Sequence, residues 1–435
     1  MGGTFTKVYV ILVSMIARSF LKRLVSRHTA SLGFFLVPLS LIFFVDSTLS
    51  FVFPIYIEEA LGSNMLLGLV MAASSLIGIG CDLIFPQLLA RTSWRQQLLL
   101  GIMISFTFPF LAVIGKITAF VAIFLLASML WGVYYEFLSF AQQNFVTSEE
   151  SRKEYAGVWG VLYASGQFTG IVGPILGSFL LQTSHTTLLW TVVFLQACAL
   201  FFSFGLRAHA HHTFKHHSVH QQKLFSFREL WKVMKYWRVL AIHLFPAIVM
   251  GVWLEAIEAT YWTLGGLFGK ELTENANFQW LPVVLYSAPF IIGSLLLTRF
   301  NIESGKKHLS HVTLICAGVF LTPLVLAKES QIITSLLILI SSFALSFAGP
   351  LQEAVYSDVL TRAGEYKQDL LGLAKANSSI AYILFPVLVG YSADVFGYVT
   401  TFSLLGVASI GIGALLFVCS PKKLAFPHAE LQAIR

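Results

Sequence analysis

A set of acidic residues lies inside long apolar stretches of this sequence: Asp46, Asp82, Glu136, Glu255, Glu258, Glu353 and Asp358, with Lys375 the cation at comparable depth. A charged group at the centre of an apolar helix costs roughly 2.5–3.5 kcal/mol on insertion scales. Such carboxyls therefore face a wet cavity, pair, or carry a proton. A carboxyl that gains and loses a proton as water reaches it from alternate sides is a proton-coupling device. Glu136 and Glu353 lead this set, because Gly132-Val-Tyr-Tyr-Glu136 and Gly349-Pro-Leu-Gln-Glu353 repeat one spacing at equivalent places. Asp46 and Glu255 hold matching positions in the first and seventh apolar segments, and Glu258 follows Glu255 on the same helical face. Lys375 is the candidate counter-ion for one of these acids. Asp82 and Asp358 read as residues at helix ends.

The sign of these charges constrains a ligand. No arginine falls inside an apolar segment, so an organic anion or phosphate lacks its usual bidentate partner. Cationic, zwitterionic or neutral solutes fit better. Trp131, Tyr134, Tyr135, Trp253 and Trp262 lie near the acids; they either stack on a solute or attract an organic cation, or serve as packing and interface anchors.

The elements that position these groups are membrane helices. The 435 residues are 57% hydrophobic and 11% charged, too little polar surface for a water-soluble chain of this size. A span needs about 20 apolar residues. Segments at about 32–57, 64–89, 96–115, 118–145, 155–182, 186–206, 238–262, 278–298, 309–327, 331–358, 370–395 and 398–419 meet that need, which makes twelve, with the chain ends on one side. Of the 28 Lys and Arg, Lys116, Lys270 and Lys328 fall in the loops opposite the chain ends and Lys375 within a span; all others lie on the side of the ends. By the positive-inside rule both termini are cytoplasmic, and the expected location is the plasma (inner) membrane. The formal charge of +7 reflects this topology, and nucleic acid is not an expected partner. Residues 1–30 place their cations after a short apolar run, unlike a signal peptide, and read as a cytoplasmic segment. The four cysteines are scattered through apolar segments and read as small buried residues.

The polar stretch 207–237 divides the spans six and six. The expected organisation is a cytoplasmic segment (1–30), a six-helix bundle (31–206), a basic His-rich loop with an amphipathic helix (207–237), a second bundle (238–420) and a cytoplasmic tail (421–435). Prolines recur one span after each Gly-x-x-x-Glu, at Pro174 and Pro386, and Arg91 and Arg299 follow the second and eighth spans. Their common order indicates a duplicated six-helix unit, the plan that places a solute site at the midplane between the halves.

From about residue 31 to 420 the chain resembles the major facilitator superfamily. The segment Pro86-Gln-Leu-Leu-Ala-Arg91-Thr-Ser-Trp-Arg95 is similar to that family's loop after its second helix, with Ala90 at the usual Asp position; Leu296-Leu-Thr-Arg299 followed by Ser304-Gly-Lys-Lys307 is a second partial copy. Gly166-x3-Gly170-x2-Gly173-Pro174-x2-Gly177-Ser178 resembles the Gly-Pro signature of its antiporters. Gly390-Tyr-Ser-Ala-Asp394-Val-Phe-Gly397 is similar to its frequent ending of the eleventh helix. The resemblance implies an all-α membrane protein of twelve helices in two pseudo-symmetric bundles, rocking about a central site. Gating or helix-packing roles then fall to Arg91, Arg95, Arg299, Gly170, Gly173, Pro174, Gly177, Pro386, Gly390 and Asp394. Small residues three or four apart let backbones approach, and proline permits a bend, so tight packing and a hinge are both open readings.

His209, His211, His212, His216, His217 and His220 crowd the central loop. Imidazole binds Zn, Cu or Ni, yet a flexible loop with Lys215 and Lys223 reads equally as a solvated tether. The stretch Phe225 to Val239 mixes Arg and Lys with Phe, Leu and Trp and predicts an amphipathic surface helix. No GxxxxGK[ST], HExxH or GxSxG occurs, so no ATP-driven pump or enzyme is expected. The sequence points to a monomeric secondary transporter in the lipid bilayer, needing no cofactor and coupled to protons. It would move a small organic solute by alternating access, with efflux of cationic or lipophilic compounds ahead of uptake of a neutral metabolite such as a sugar. A metal-cation transporter and a non-transporting membrane receptor are the alternatives.

Overall fold

Inside a bilayer no water is at hand for backbone N–H and C=O groups, so long apolar runs satisfy them within helices. The computed structural model describes residues 27–89, 92–149, 155–206, 227–273, 278–297, 305–360, 362–421 and 426–434, and among these there are helices and short turns but no strand. The first half contains α1 (Arg27–Leu61), α2 (Asn64–Leu88), α3 (Trp94–Ser105) continued by α4 (Thr107–Thr118), α5 (Val121–Glu149), α6 (Tyr155–Thr183) and α7 (His185–Phe204). A surface helix, α8 (Phe227–His243), leads into the second half. There follow α9 (Phe245–Leu272), α10 (Leu281–Leu297), α11 (Lys306–Leu321) with the single turn α12 (Leu324–Ala327), α13 (Gln331–Leu360), α14 (Lys367–Phe396) and α15 (Tyr398–Cys419), and then a short tail helix, α16 (His428–Ile434). Ten described segments are long and apolar enough to cross a membrane, counting α3 with α4 and α11 with α12 as one each. The other two of the twelve are α9, which meets α8 at a bend of 97°, and α10, whose described part is shorter.

Local chemistry sets the breaks. Pro109 has no N–H and its ring clashes four residues back, where α3 gives way to α4; Pro323 separates α11 from α12. Serines start three spans: Ser63 and Ser184 each accept a hydrogen bond from a first-turn amide, and Ser93 forms a capping box with Gln96. Pro246 explains a difference from expectation. The seventh span was expected from residue 238, but the chain turns at Leu244, ahead of this proline, and leaves 238–243 in the surface helix α8.

Each half has an aromatic-rich interior, with Phe35 stacked on Phe145 at 4.0 Å in the first and Tyr261 on Tyr286 at 4.2 Å in the second. Leu326, Val418 and Phe201 stand exposed on the outside, as residues facing lipid do. The halves meet where α2 crosses α14, α1 meets α9 and α6 meets α10. At the first crossing the backbones touch: a Cβ on Gly68 would collide with the Pro386 carbonyl, and one on Gly390 with the Asn64 carbonyl. This seam lies at the far face, opposite the start of α1 and the end of α15.

Candidate functional site

Between the halves lies a cavity of about 590 Å³, within the 300–1,000 Å³ typical of small-molecule sites. Asp46 on α1, Glu136 on α5, and Glu255 and Glu258 on α9 all line it, with Trp131, Tyr135, Trp262 and Gly170. Tyr135 donates its hydroxyl to Asp46 Oδ2 at 3.0 Å, while Asp46 Oδ1 is sealed from solvent without a partner. Ser378 on α14 donates to Glu255 Oε2 at 3.1 Å. None of the four acids forms an ion pair among the described residues. Asp82 lies beside Glu136. Lys375, the expected counter-ion for one of these acids, is exposed, lies off the cavity wall and makes no ion pair with the four acids among the described residues.

Glu353 departs from expectation. It is exposed and does not line the cavity, so the pair Glu136 and Glu353 is not brought together. Helix register gives the reason. Gly349 lies about seven residues further from the far-face end of α13 than Gly132 does from that of α5, roughly 10 Å of helix. Asp46 and Glu255, by contrast, sit at similar depths in α1 and α9, and both reach the cavity. Two of the aromatic candidates are packing residues. Tyr134 is fully buried with its ring 4.8 Å from Trp131, and Trp253 donates its indole N–H to Ser409 Oγ at 2.9 Å and meets Phe385 edge-on.

The far face is closed by polar contacts that span the halves. Asp394, at the end of α14, accepts from Ser63 Oγ at 3.1 Å, from the Asn64 and Met65 amides at 2.8 and 2.9 Å, and from Asn64 Nδ2 at 2.9 Å. It therefore caps the N-terminus of α2 from the other half. Glu59 on α1 bonds Lys116 at 2.7 Å within its own half and approaches Lys270 on α9 at 3.4 Å. Toward the opposite face Tyr163 of α6 and Glu353 of α13 are both exposed. The cavity is thus shut at the far face and open toward the face that carries the chain ends.

The remaining candidates fall in varied places. Gly173 and Gly177 seat α6 against Ser47, Thr48 and Phe51 of α1, and Pro174 lies buried between them. Replacing Gly173 by Leu is expected to destabilise the purified protein by about 1–3 kcal/mol through overpacking; an unchanged thermal midpoint would show that this contact is loose. Pro386 and Gly390 belong to the α2–α14 crossing. Arg95 bonds the Phe204 carbonyl at 2.7 Å, joining α3 to the end of α7 within one half rather than across the seam. Asp358 pairs with Lys306 at 2.8 Å near the end of α13. Arg91, Arg299, and His209, His211, His212, His216, His217 and His220 lie outside the described residues.

Some cavity residues were not nominated from sequence: Tyr286, Tyr382, Gln167 and several serines. A helical stripe of small polar residues, such as Ser74, Ser75 and Gly78 on α2, was the available signal.

No family model matches the chain, and a search of curated proteins returns no match. Solved structures do match it in shape. The nucleoside transporter NupG superposes with a TM-score of 0.68 at 13% identity, covering 90% of this chain and 99% of that one. A D-xylose–proton symporter gives 0.66 at 13%, covering 90% and 98%, and the human organic anion transporter MFSD10 gives 0.58 at 15%, covering 90% and 100%. The fold is that of the major facilitator transporters, twelve membrane helices in two pseudo-symmetric six-helix bundles.

Proposed function

We propose that this chain is a secondary active transporter that carries a small organic solute across a membrane by alternating access, coupled to protons. The observation that carries this reading is a cavity between two matched bundles, closed at one face, whose four carboxylates form no ion pair among the described residues. Ionised carboxylates desolvate at a cost of several kcal/mol each unless paired, so protons or a cationic solute must accompany them through any closed stage. Proton-driven transport by a neighbour of the same fold supports the coupling. The distribution of Lys and Arg supports a cytoplasmic side for the open face and both chain ends.

Alternating access is tested with single cysteines placed at Tyr163 and Ile55 after the four native cysteines are replaced. Tyr163 is 68% exposed near the open face, and Ile55 is 2% exposed beneath the closed one. Turnover should make Ile55→Cys reactive from the far face and slow the labelling of Tyr163→Cys. Reactivities that stay constant while the protein is energised by a pH gradient would sink the reading.

A further inference from the structure

The cavity wall is chemically unlike the rest of this chain. In a protein that is 57% hydrophobic, the described residues around the cavity include no Leu, Ile, Val or Ala. They are eight serines, a threonine, a glutamine, the four carboxylates, glycines, aromatic rings and one methionine.

Several of the hydroxyls already use their hydrogen. Ser47 donates to the Phe43 carbonyl at 2.9 Å, Ser74 to that of Met71 at 2.8 Å, Thr169 to that of Gly166 at 2.8 Å, and Ser378 to Glu255. What such an oxygen has left to offer is a lone pair. With the carboxylates, these oxygens set acceptors among the aromatic rings that also line the cavity, and their complement is a solute that joins donors to carbon faces able to lie on the rings. An apolar solute would meet the rings but return no hydrogen bond to these oxygens, which favours the cationic over the lipophilic compounds expected from sequence.

We propose that the cavity takes a hydroxylated organic cation, an amine carried on a sugar or polyol, with its ammonium at Glu255 and Glu258 and its hydroxyls on the serine and threonine oxygens. This rests on the transport reading above and narrows it to a substrate class. Glu255 and Glu258 sit one turn apart on α9, both half-buried, and offer the paired charge. Asp46 is the poorer anchor because Tyr135 holds one of its oxygens and the other is sealed. Trp262, four residues beyond Glu258, lines the same wall and directs its indole N–H to the Glu258 carboxylate.

The test is equilibrium binding of three probes to the purified full chain: glucosamine, N-acetylglucosamine and tetraphenylphosphonium. N-acetylglucosamine keeps the ring and hydroxyls without the charge, and tetraphenylphosphonium keeps the charge without donors. Glucosamine should bind at least about tenfold more tightly than either, the effect of one charge-assisted hydrogen bond. Glu258→Gln should remove most of the preference for glucosamine over N-acetylglucosamine while N-acetylglucosamine binding persists, an outcome that misfolding does not produce. Equal binding of the two sugars, tighter binding of tetraphenylphosphonium, or no binding of glucosamine would each overturn the proposal. If vesicles bearing the protein exchange N-acetylglucosamine but not glucosamine, the substrate class falls and transport stands. If the cysteines at Tyr163 and Ile55 never trade exposure, the transport reading itself falls.

Discussion

Replacing Asp46 by Asn is expected to abolish solute accumulation driven by a pH gradient while leaving solute exchange across vesicles intact. Asn matches Asp in shape and can still accept the Tyr135 hydroxyl, which approaches Asp46 Oδ2 at 3.0 Å. It cannot carry a proton. A group that only binds solute would lose exchange and accumulation together, whereas a group that only carries protons loses the second alone. With one proton per solute, each unit of pH gradient sustains roughly a tenfold concentration ratio, so the ratio in the variant should collapse to about one. Asp46 is the choice among the four acids because of its setting: Oδ1 is buried without a partner, and charge there has no compensation among the described residues. Accumulation by Asp46→Asn at the native ratio would assign coupling elsewhere, with Glu136, placed beside Asp82, next in line.

How far the sequence reached can be traced residue by residue. Span number and the two halves were legible because lipid leaves each segment few options, and because few Lys and Arg fall in the loops of one face. Asp46, Glu136, Glu255 and Glu258 were legible as cavity residues because a carboxyl is too costly to turn toward lipid. Glu353 was not, because equal spacing from a glycine does not fix depth: α13 carries its motif about two turns nearer the open face than α5 does. Tyr134 and Tyr135 adjoin in sequence yet point apart, the first into the core and the second to the cavity, and their helical phase was the deciding quantity. The serines of the wall were missed because serine inside a membrane helix commonly bonds its own backbone, as Ser47 and Ser74 do here, and only the assembled halves show which free lone pairs share a cavity. Sequence left Trp253 open between solute contact and packing for a related reason, since its partner Ser409 lies in another helix far along the chain.

Replacing Asp394 by Ala should shift the protein toward a state open at the far face. Alternating access requires the seam between α2 and α14 to separate there, so whatever holds the seam sets the balance between the two states. The first amides of any helix have no intrahelical acceptor, and a negative charge at that end is favoured by the helix dipole. At α2 this acceptor comes from the other half: Asp394 takes the Asn64 and Met65 amides together with the Asn64 and Ser63 side chains. Ser63 caps only the Leu66 amide, so it does not replace what Asp394 provides. Hydrogen bonds to a charged group contribute about 1.5–3 kcal/mol each when buried and less when exposed, as part of this cluster is. Even one such bond, counted at the low end, changes the ratio of the two states about tenfold. The Glu59 to Lys270 approach at 3.4 Å remains in the variant and limits the shift. Labelling of Ile55→Cys from the far face, without solute or gradient, should accelerate by about tenfold or more in the Asp394→Ala background. Asp394→Asn, which keeps an acceptor but loses the charge, should fall between. An unchanged labelling rate in a variant that still exchanges solute would mean that backbone contact at Gly68 and Gly390, not the carboxylate, holds the far face shut.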